Sequence, residues 1–256
     1  MIRKVFLPNF ENLEVQFDEI LNKFKVEGEL IGGEKRNIIK VFYLADGTQV
    51  NIKSFKKPNI FNSIVYRFFR KSKAQRSFEY AQILISNKID TPQPFAFYEN
   101  KTVFGLKDSY YFSLQQDVDL TFRNLILDPD YPNKNEIIRQ TAQFFFNVHN
   151  KGIELIDNTP GNTIIKEVSN SNYKFYLVDL NRMNFHENLS FDQRMKNLAK
   201  LTFDKSIVTA LATEYAKLIK INTDDCVTNL LTESELFVNR FNRRKKIKKK
   251  LKFWKK

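Results

Sequence analysis

The fold of this chain is decided by one stretch, Gly152-Ile153-Glu154-Leu155-Ile156-Asp157-Asn158-Thr159-Pro160-Gly161-Asn162. In it Asp157 and Asn162 lie five residues apart, and Pro160-Gly161 bends the chain between them. A carboxylate and an amide at this spacing on a loop could hold a base and a metal ligand a few ångströms apart. Phosphoryl transfer from ATP needs such a pair, so the stretch is a candidate catalytic loop.

The segments on either side of the loop favour the same interpretation. Residues 136–150 have the apolar periodicity of an amphipathic helix, which Lys151-Gly152 ends as a C-cap. Residues 162–168 and 173–179 predict a β-hairpin around a polar turn, and its second strand ends on Asp179. Two further helices are predicted near residues 191–204 and 206–221.

The first half of the chain has the pattern of an antiparallel sheet. Asp46-Gly47 is a strong hairpin signal between two β-rich runs. Alternation along the second run puts Val50 and Ile52 on one face of the strand and Lys53 on the other. The predicted strands of this half cover residues 37–44, 49–55, 95–98 and 110–114.

One helix is inserted in this sheet, from about Ala74 to Asn87, with Glu79 beside its apolar face. A polar passage near residues 115–119 then separates the β-rich half from a helical half. We therefore expect four parts: an N-terminal extension (1–24), a β-rich lobe (25–116), a mainly helical lobe (117–239) and a basic aromatic tail (240–256).

Composition indicates a globular protein of the cytoplasm. The 256 residues, 42% of them apolar, can bury one large core or two small ones. The single cysteine, Cys226, excludes an internal disulfide and fits a reducing compartment. The N-terminus has no long apolar segment typical of a signal peptide. No apolar run approaches the ~20 residues that a membrane span requires.

The basic charge is concentrated in the tail. Residues 240–256 hold eleven of the 42 Lys and Arg and no acidic residue, so the rest of the chain carries 31 basic against 29 acidic residues. Basic residues interleaved with Ile247, Leu251, Phe253 and Trp254 suit an anionic membrane surface. The same composition is found in nucleic-acid-binding segments and in solvated, partly disordered tails.

Each candidate side chain also has a purely structural interpretation. Lys53 could be a solvated strand residue and Glu79 a helix-surface glutamate. Asp157 and Asn162 could form a turn, and Asp179 could cap a strand end. The order and spacing of all five favour catalysis, because Pro160-Gly161 alone would suffice for a turn.

The remaining reactive side chains do not suggest a second chemistry. His149 lies at the end of an amphipathic helix and is expected to be a packed structural residue. His186 has no recognisable partner in the sequence, and Cys226 is interpreted as a buried thiol. No Cys/His cluster has zinc-site spacing.

Taken in order, Lys53, Glu79, Asp157 with Asn162, and Asp179 resemble the protein-kinase-like fold, and most of all the bacterial lipopolysaccharide kinases that phosphorylate Kdo or heptose sugars. The resemblance covers roughly residues 25–220. It implies an α+β, two-lobed fold with a small antiparallel β-rich N-lobe and a larger, mainly helical C-lobe. The segments that carry it are Lys53–Asn59, Arg67–Ala74, Asp157–Asn162 and Leu177–Met183.

The resemblance implies a role for each of these residues. Lys53 would touch the α- and β-phosphates of ATP, held by an ion pair with Glu79, and Asp157 would receive or orient the proton of the acceptor hydroxyl. Mg²⁺ would be bound by Asn162 and Asp179, with an oxygen from Asn181. Gly32 and Gly33 would lie near the phosphates, although Gly28, Gly32 and Gly33 do not form the full glycine-loop pattern.

The chain departs from the family pattern around the catalytic loop. Leu155 and Ile156 replace the His or Tyr and the Arg that often precede the aspartate, so control by activation-loop phosphorylation is not expected. Thr159 replaces the lysine often found two residues after the aspartate, so the γ-phosphate must be stabilised by another residue. Leu180-Asn181 replaces Phe-Gly after Asp179, which removes a glycine hinge.

The implied reaction is phosphorylation of a sugar hydroxyl on a lipopolysaccharide precursor glycolipid. Such an acceptor is made at the cytoplasmic leaflet, which favours a protein peripheral to the inner membrane through its tail over one that binds nucleic acid. Two alternatives stay open: a kinase with a small-molecule or protein Ser/Thr acceptor, and a non-catalytic membrane- or nucleic-acid-binding module on a kinase scaffold. The sequence leaves the oligomeric state undetermined.

Overall fold

An antiparallel sheet forms the centre of the first of two compact units. The computed structural model describes residues 2–32, 37–57, 70–103 and 105–253. Unit 1 consists of Met1–Asp117 with Asp179–Asn181, and unit 2 of Val118–Val178 with Arg182–Lys256.

The sheet of unit 1 has six strands within the described residues, in the order β1-β5-β6-β4-β3-β2. The predicted hairpin is confirmed as β3 and β4, with Phe42 opposite Val50. Val50 and Ile52 are fully buried, whereas Lys53 lies on the other face, as the alternation predicts. The strands are β1 (Ile2–Phe6), β2 (Glu29–Gly32), β3 (Ile38–Tyr43), β4 (Gln49–Ser54), β5 (Pro94–Thr102) and β6 (Gly105–Leu114).

Residues 2–24, predicted as an N-terminal extension with no assigned function, contribute a strand and a helix to unit 1. β1 pairs antiparallel with β5, so that Ile2 lies opposite Asn100. Helix α1 (Glu14–Lys23) packs on the sheet through Phe17, which is fully buried and stacks on Phe112 at 4.5 Å between ring centroids.

A second helix, α2 (Lys73–Ser86), covers the opposite face of the sheet and matches the helix predicted at residues 74–87. The Ser72 hydroxyl accepts a hydrogen bond from the Gln75 amide, which caps the helix start. Ala74 and Phe78 are buried against Phe97 of β5. Phe55 and Tyr111 complete this second apolar cluster.

Within the part of the chain that the structure describes, unit 2 is mainly helical and has two small antiparallel sheets. β9 pairs with β10 and β7, and β8 pairs with β11. The α+β class is therefore confirmed. Its elements are β7 (Leu120–Thr121), α3 (Phe122–Leu127), α4 (Lys134–Asn150), β8 (Ile153–Leu155), β9 (Thr163–Ser169), β10 (Asn172–Leu177), β11 (Met183–Phe185), α5 (Phe191–Leu198), α6 (Lys205–Ile219) and α7 (Thr223–Phe253).

The helices of unit 2 bury the apolar faces that the sequence predicts, with one difference in length. α4 buries Ile138, Phe145 and Val148. The helix expected to run to residue 204 ends at Leu198 instead. Asp204 belongs to the start of α6, where its carboxylate accepts hydrogen bonds from the amides of Ser206 and Ile207.

The basic tail is the end of a long helix. α7 runs from Thr223 to Phe253, and its first half buries Cys226, Leu230 and Ser234. Further along, Phe241 is 59% exposed and Ile247 is 48% exposed, so the basic half of the helix leaves the core of unit 2. A helix here differs from the disordered alternative for the tail. Within the described residues, no helix combines the length and apolarity needed to cross a bilayer.

Candidate active site

In unit 1, Lys53 forms an ion pair with Asp179. Its Nζ lies 2.6 Å from Asp179 Oδ1, and the Asn181 side-chain amide donates to the same oxygen at 2.7 Å. Lys53 is 9% exposed and its ammonium lies over the Phe55 ring, 5.6 Å from the centroid. Since burial strengthens the attraction between opposite charges, the ion pair fixes both side chains.

The segment that follows β10 is held in an uncommon backbone conformation. Asp179 has φ of +59°, in the left-handed region that aspartate tolerates better than most side chains. Arg76, buried on α2, donates to the Asn181 carbonyl at 2.6 Å and ties the segment to unit 1.

Glu79 does not form the predicted ion pair with Lys53 in this structure. Its carboxylate lies 2.8 Å from Lys71 Nζ, and Gln75 donates to it at 2.9 Å. The physical reason is competition: the Asp179 carboxylate takes the buried Lys53, and the more exposed Lys71 takes Glu79. A function for Glu79 at the nucleotide site stays a prediction.

The glycines predicted near the phosphates divide into three cases. Gly33 lies outside the described residues. Gly32 ends β2, and a Cβ there would be 3.9 Å from Ile39 Cδ1, an ordinary contact, so its geometry does not require glycine. Gly28 does require it, because its φ is +88° and a Cβ would overlap the Phe42 ring. A phosphate contact by Gly32 stays a prediction.

In unit 2, the candidate catalytic loop starts from a glycine that no other residue could replace. Gly152 has φ of +68°, and a Cβ there would overlap the His186 carbonyl. Its amide donates to His149 O at 3.0 Å, which confirms the predicted C-cap of α4. The Gly152 carbonyl in turn accepts the His186 amide at 2.8 Å.

Asp157 and Asn162 are brought together by the turn between them. The Asn162 side-chain amide donates to the Asp157 carbonyl at 2.8 Å. The Thr159 amide donates to the same carbonyl at 2.9 Å, and the Asn162 amide donates to Thr159 O. The Asn162 amide nitrogen is therefore used inside the loop, and its Oδ1 is the end suited to a metal.

A buried network that the sequence motifs do not reveal supports this loop. Asn197 on α5 donates to the Leu155 carbonyl at 2.6 Å, and Asn158 donates to the Asn197 carbonyl at 3.1 Å. His149 Nε2 lies 3.2 Å from Asn197 Oδ1, and His149 Nδ1 lies 2.7 Å from the Tyr215 hydroxyl. The only sequence signal was a polar Asn197 within an apolar helix face. His149 is structural, as predicted.

Three basic side chains contact residues of the candidate catalytic loop within the described residues. Arg182 Nη1 is 3.3 Å from Asp157 Oδ2. Lys200 Nζ donates to the Leu155 carbonyl at 3.3 Å, and burial lowers the pKa of this ammonium below its ordinary value. Arg123 packs against Gly161, where its Nη2 would be 3.1 Å from an added Cβ.

His186 has a partner, contrary to the sequence interpretation. Its Nε2 lies 2.9 Å from Glu154 Oε2, and that carboxylate also accepts a hydrogen bond from Asn184 at 3.0 Å. Cys226 is a buried thiol, as expected, and burial raises its pKa to about 11. Neither side chain adds a reactive group to the loop.

The oxygen donors of this site suit a Mg²⁺ ion that is shared with substrate phosphates. They do not form a metal site built from protein side chains alone. Within the described residues, no group of three His, Cys, Asp or Glu side chains could hold a metal ion. In unit 1, the carboxylate of Asp179 and the amide oxygen of Asn181 are hard oxygen donors. Mg²⁺ in phosphoryl-transfer enzymes is commonly bound by one or two carboxylates together with substrate phosphates and water, which matches this donor set.

Comparison with known proteins identifies the fold. No family model matches the chain, and no curated protein is similar to it in sequence. The structure is similar to that of WaaP in complex with acyl carrier protein, with a TM-score of 0.64 at 14% identity. The similarity covers 93% of this chain and 98% of the WaaP chain. The chain therefore has an α+β, protein-kinase-like fold, as its motifs predict.

Proposed function

We propose that the protein is an ATP-dependent phosphotransferase that phosphorylates an alcohol group. The observation that carries this proposal is the ion pair of the buried Lys53 with the partly exposed Asp179, with Asn181 donating to the same carboxylate oxygen. A cation for phosphate and a carboxylate for metal thus lie 2.6 Å apart on one unit. Their chain positions match the order of these groups in kinase-like folds.

The groups of unit 1 bind and orient the nucleotide. When ATP binds, the Lys53 ammonium leaves Asp179 and donates to the α- and β-phosphate oxygens, since an ammonium is a compact donor for phosphate. Asp179 and Asn181 would hold Mg²⁺, which when bound neutralises charge on the phosphates. A contact of Asn162, in unit 2, with the metal stays a prediction. The backbone tie from Arg76 to Asn181 keeps the Asp179 segment in place while its carboxylate changes partners.

Asp157 orients the acceptor hydroxyl and receives its proton. Hydrogen bonds from Thr159 and Asn162 to its carbonyl fix the backbone, so the carboxylate is presented in one direction. The network from Asn197 to Leu155 fixes the strand before it. Preorganisation of this kind reduces the entropy that must be lost in reaching the transition state.

The proposed acceptor is a sugar hydroxyl, Kdo or heptose, of a lipopolysaccharide precursor. Two observations support it. The residues of the motifs resemble those of the lipopolysaccharide kinases, and the fold is similar to that of WaaP at 14% identity. The basic half of α7 supports an acceptor at an anionic membrane, because Arg240, Arg243 and Arg244 are exposed beside Phe241. We accordingly place the protein at the cytoplasmic face of the inner membrane.

The proposal predicts phosphate transfer to a glycolipid. Incubation of the protein with γ-labelled ATP, Mg²⁺ and Kdo-containing lipid A should place label in the glycolipid. Asp157→Ala should reduce the rate by about 10³-fold or more, since the residue that orients the nucleophile is removed. Asp130→Asn, on an exposed loop, is the matched control and should leave the rate unchanged.

A second measurement tests nucleotide binding independently of the identity of the acceptor. Thermal unfolding should shift upward with Mg²⁺–ATP in the wild type and not in Asp179→Ala. A nucleotide shift without glycolipid labelling would contradict the sugar acceptor and favour a small-molecule or protein acceptor. Absence of any nucleotide shift in the wild type would contradict the phosphotransferase itself.

A further inference from the structure

We propose that Arg182 supplies the positive charge that stabilises the transferred phosphoryl group, taking the place left by Thr159 in the catalytic loop. This inference rests on the proposed phosphotransfer and adds a catalytic residue to it. The observation behind it is the contact between Arg182 Nη1 and Asp157 Oδ2 at 3.3 Å in unit 2. The Arg182 side chain is 56% exposed, so its guanidinium is accessible from solvent.

The backbone places Arg182 beside the loop independently of its side chain. β11 pairs with β8, with Met183 opposite Leu155. The Arg182 carbonyl accepts the Ile156 amide at 3.0 Å, one residue before Asp157. The two residues are therefore joined by a main-chain ladder, and a substitution at Arg182 leaves that ladder intact.

The contact with Asp157 occupies only part of the hydrogen-bonding capacity of the guanidinium. An arginine has five N–H donors in a planar fork that matches two phosphate oxygens at once. One contact at 3.3 Å is longer than the roughly 2.7–2.9 Å of a strong charge-assisted hydrogen bond. Arg182 can therefore keep its contact with Asp157 and still present donors to the phosphoryl group that is transferred to the hydroxyl oriented by Asp157.

The other two cations of the loop are less suited to this function. Lys200 is directed to the Leu155 carbonyl and is partly desolvated, which disfavours its charged form. Arg123 packs on Gly161 at the turn, and its backbone amide donates to Pro160 O at 3.2 Å. Arg182 is the residue of the three that contacts the Asp157 carboxylate.

The step that Arg182 would assist is a simple displacement. The acceptor oxygen forms a bond to the γ-phosphorus, and the bond from that phosphorus to the β–γ bridging oxygen breaks, leaving ADP with the electron pair. The hydroxyl proton passes to Asp157. Charge is spread over the three equatorial oxygens in the transition state, and a guanidinium that donates to them lowers the barrier.

Kinetics of single and double variants test this function. Arg182→Gln should lower kcat by about 10²-fold or more while KM for ATP changes little, because the contact matters in the transition state. Arg182→Lys should recover part of the rate, and Lys196→Gln, an exposed cation on α5, should behave as the wild type. Arg182→Gln should also lower the residual rate of Asp157→Asn by a similar factor. No further loss in the double variant would mean that Arg182 acts only through Asp157, and would overturn the proposal.

A binding measurement gives a readout that does not depend on the acceptor. Mg²⁺–ADP with aluminium fluoride mimics the transferring phosphoryl group. Arg182→Gln should bind this complex about 10²-fold more weakly than the wild type, with unchanged affinity for Mg²⁺–ADP. Equal binding of the mimic by both proteins would overturn the function of Arg182 and leave the phosphotransferase standing. A wild type that binds neither nucleotide would overturn both.

Discussion

The backbone two residues before Asp157 is held by side chains that lie outside the candidate catalytic loop. Leu155 and Ile156 remove the polar groups that often precede the aspartate. In their place, Asn197 donates to the Leu155 carbonyl and is itself fixed by His149. A buried polar network of this kind orders a loop because every broken hydrogen bond leaves an unsatisfied group in the core.

His149 makes the stability of unit 2 depend on pH. Burial lowers its pKa to about 4, against about 6.5 in an unfolded chain. Because the unfolded state then binds the proton more readily, the full contribution is present above pH 6.5 and is lost as the pH falls toward 4. Between pH 7.5 and pH 5 the loss is about 2 kcal/mol.

Urea unfolding of the wild type and of His149→Gln at pH 7.5 and pH 5 measures the contribution of His149 to the free energy of unfolding. Gln retains hydrogen-bonding capacity without titrating in this range. The free energy of unfolding should fall by about 2 kcal/mol less in His149→Gln than in the wild type. The same fall in both proteins would show that His149 is not held neutral.

Single residues in the site were predictable where local pattern decides them. The strand alternation fixes the face of Lys53, and the apolar run that ends in Asp179 fixes the position of that carboxylate. The partner of Lys53 was not predictable, because Asp179 and Glu79 are both carboxylates with suitable chain spacing. Only the folded structure determines that Asp179 lies 2.6 Å from Lys53 while Glu79 pairs with Lys71.

Among the elements, β1 is a strand that the sequence pattern does not predict. β1 pairs with β5, almost a hundred residues later in the chain, and such a pairing leaves no local periodicity. The amphipathic helix α4 and the β3–β4 hairpin were predictable, because turn chemistry and apolar periodicity over one segment suffice.

The buried face of α1 predicts that the sheet depends on this helix. Phe17 is fully buried among aromatic rings: its ring centroid lies 4.5 Å from that of Phe112 and 6.0 Å from that of Phe6. Phe17→Ala should reduce the free energy of unfolding by about 3–5 kcal/mol, measured by urea denaturation. Val15→Ala, on the exposed face of the same helix, should change it by less than about 0.5 kcal/mol. Similar values for the two variants would contradict a core function for α1.

Most of the excess positive charge of the protein lies in the last 17 residues of the chain. The eleven basic residues of 240–256 follow a body that is nearly neutral. The first half of α7 is anchored in unit 2 by Cys226 and Leu230, so the basic half is presented on a helix with a fixed base. The composition predicted the charge but not the helix, because a dense run of like charges disfavours helix formation in isolation.

This arrangement predicts that α7 binds anionic membranes through charge. Each Lys or Arg near such a surface contributes about 1 kcal/mol, so replacing Arg243, Arg244, Lys245 and Lys246 by Gln should weaken sedimentation with phosphatidylglycerol vesicles by roughly 10²–10³-fold at low salt. Deletion of residues 240–256 should abolish it and leave the nucleotide-induced thermal shift intact. Vesicles of phosphatidylcholine are the control and should bind neither the wild type nor the two variants. Undiminished sedimentation of the four-fold variant would contradict an electrostatic anchor, since Phe241 and Ile247 would then suffice without the cations.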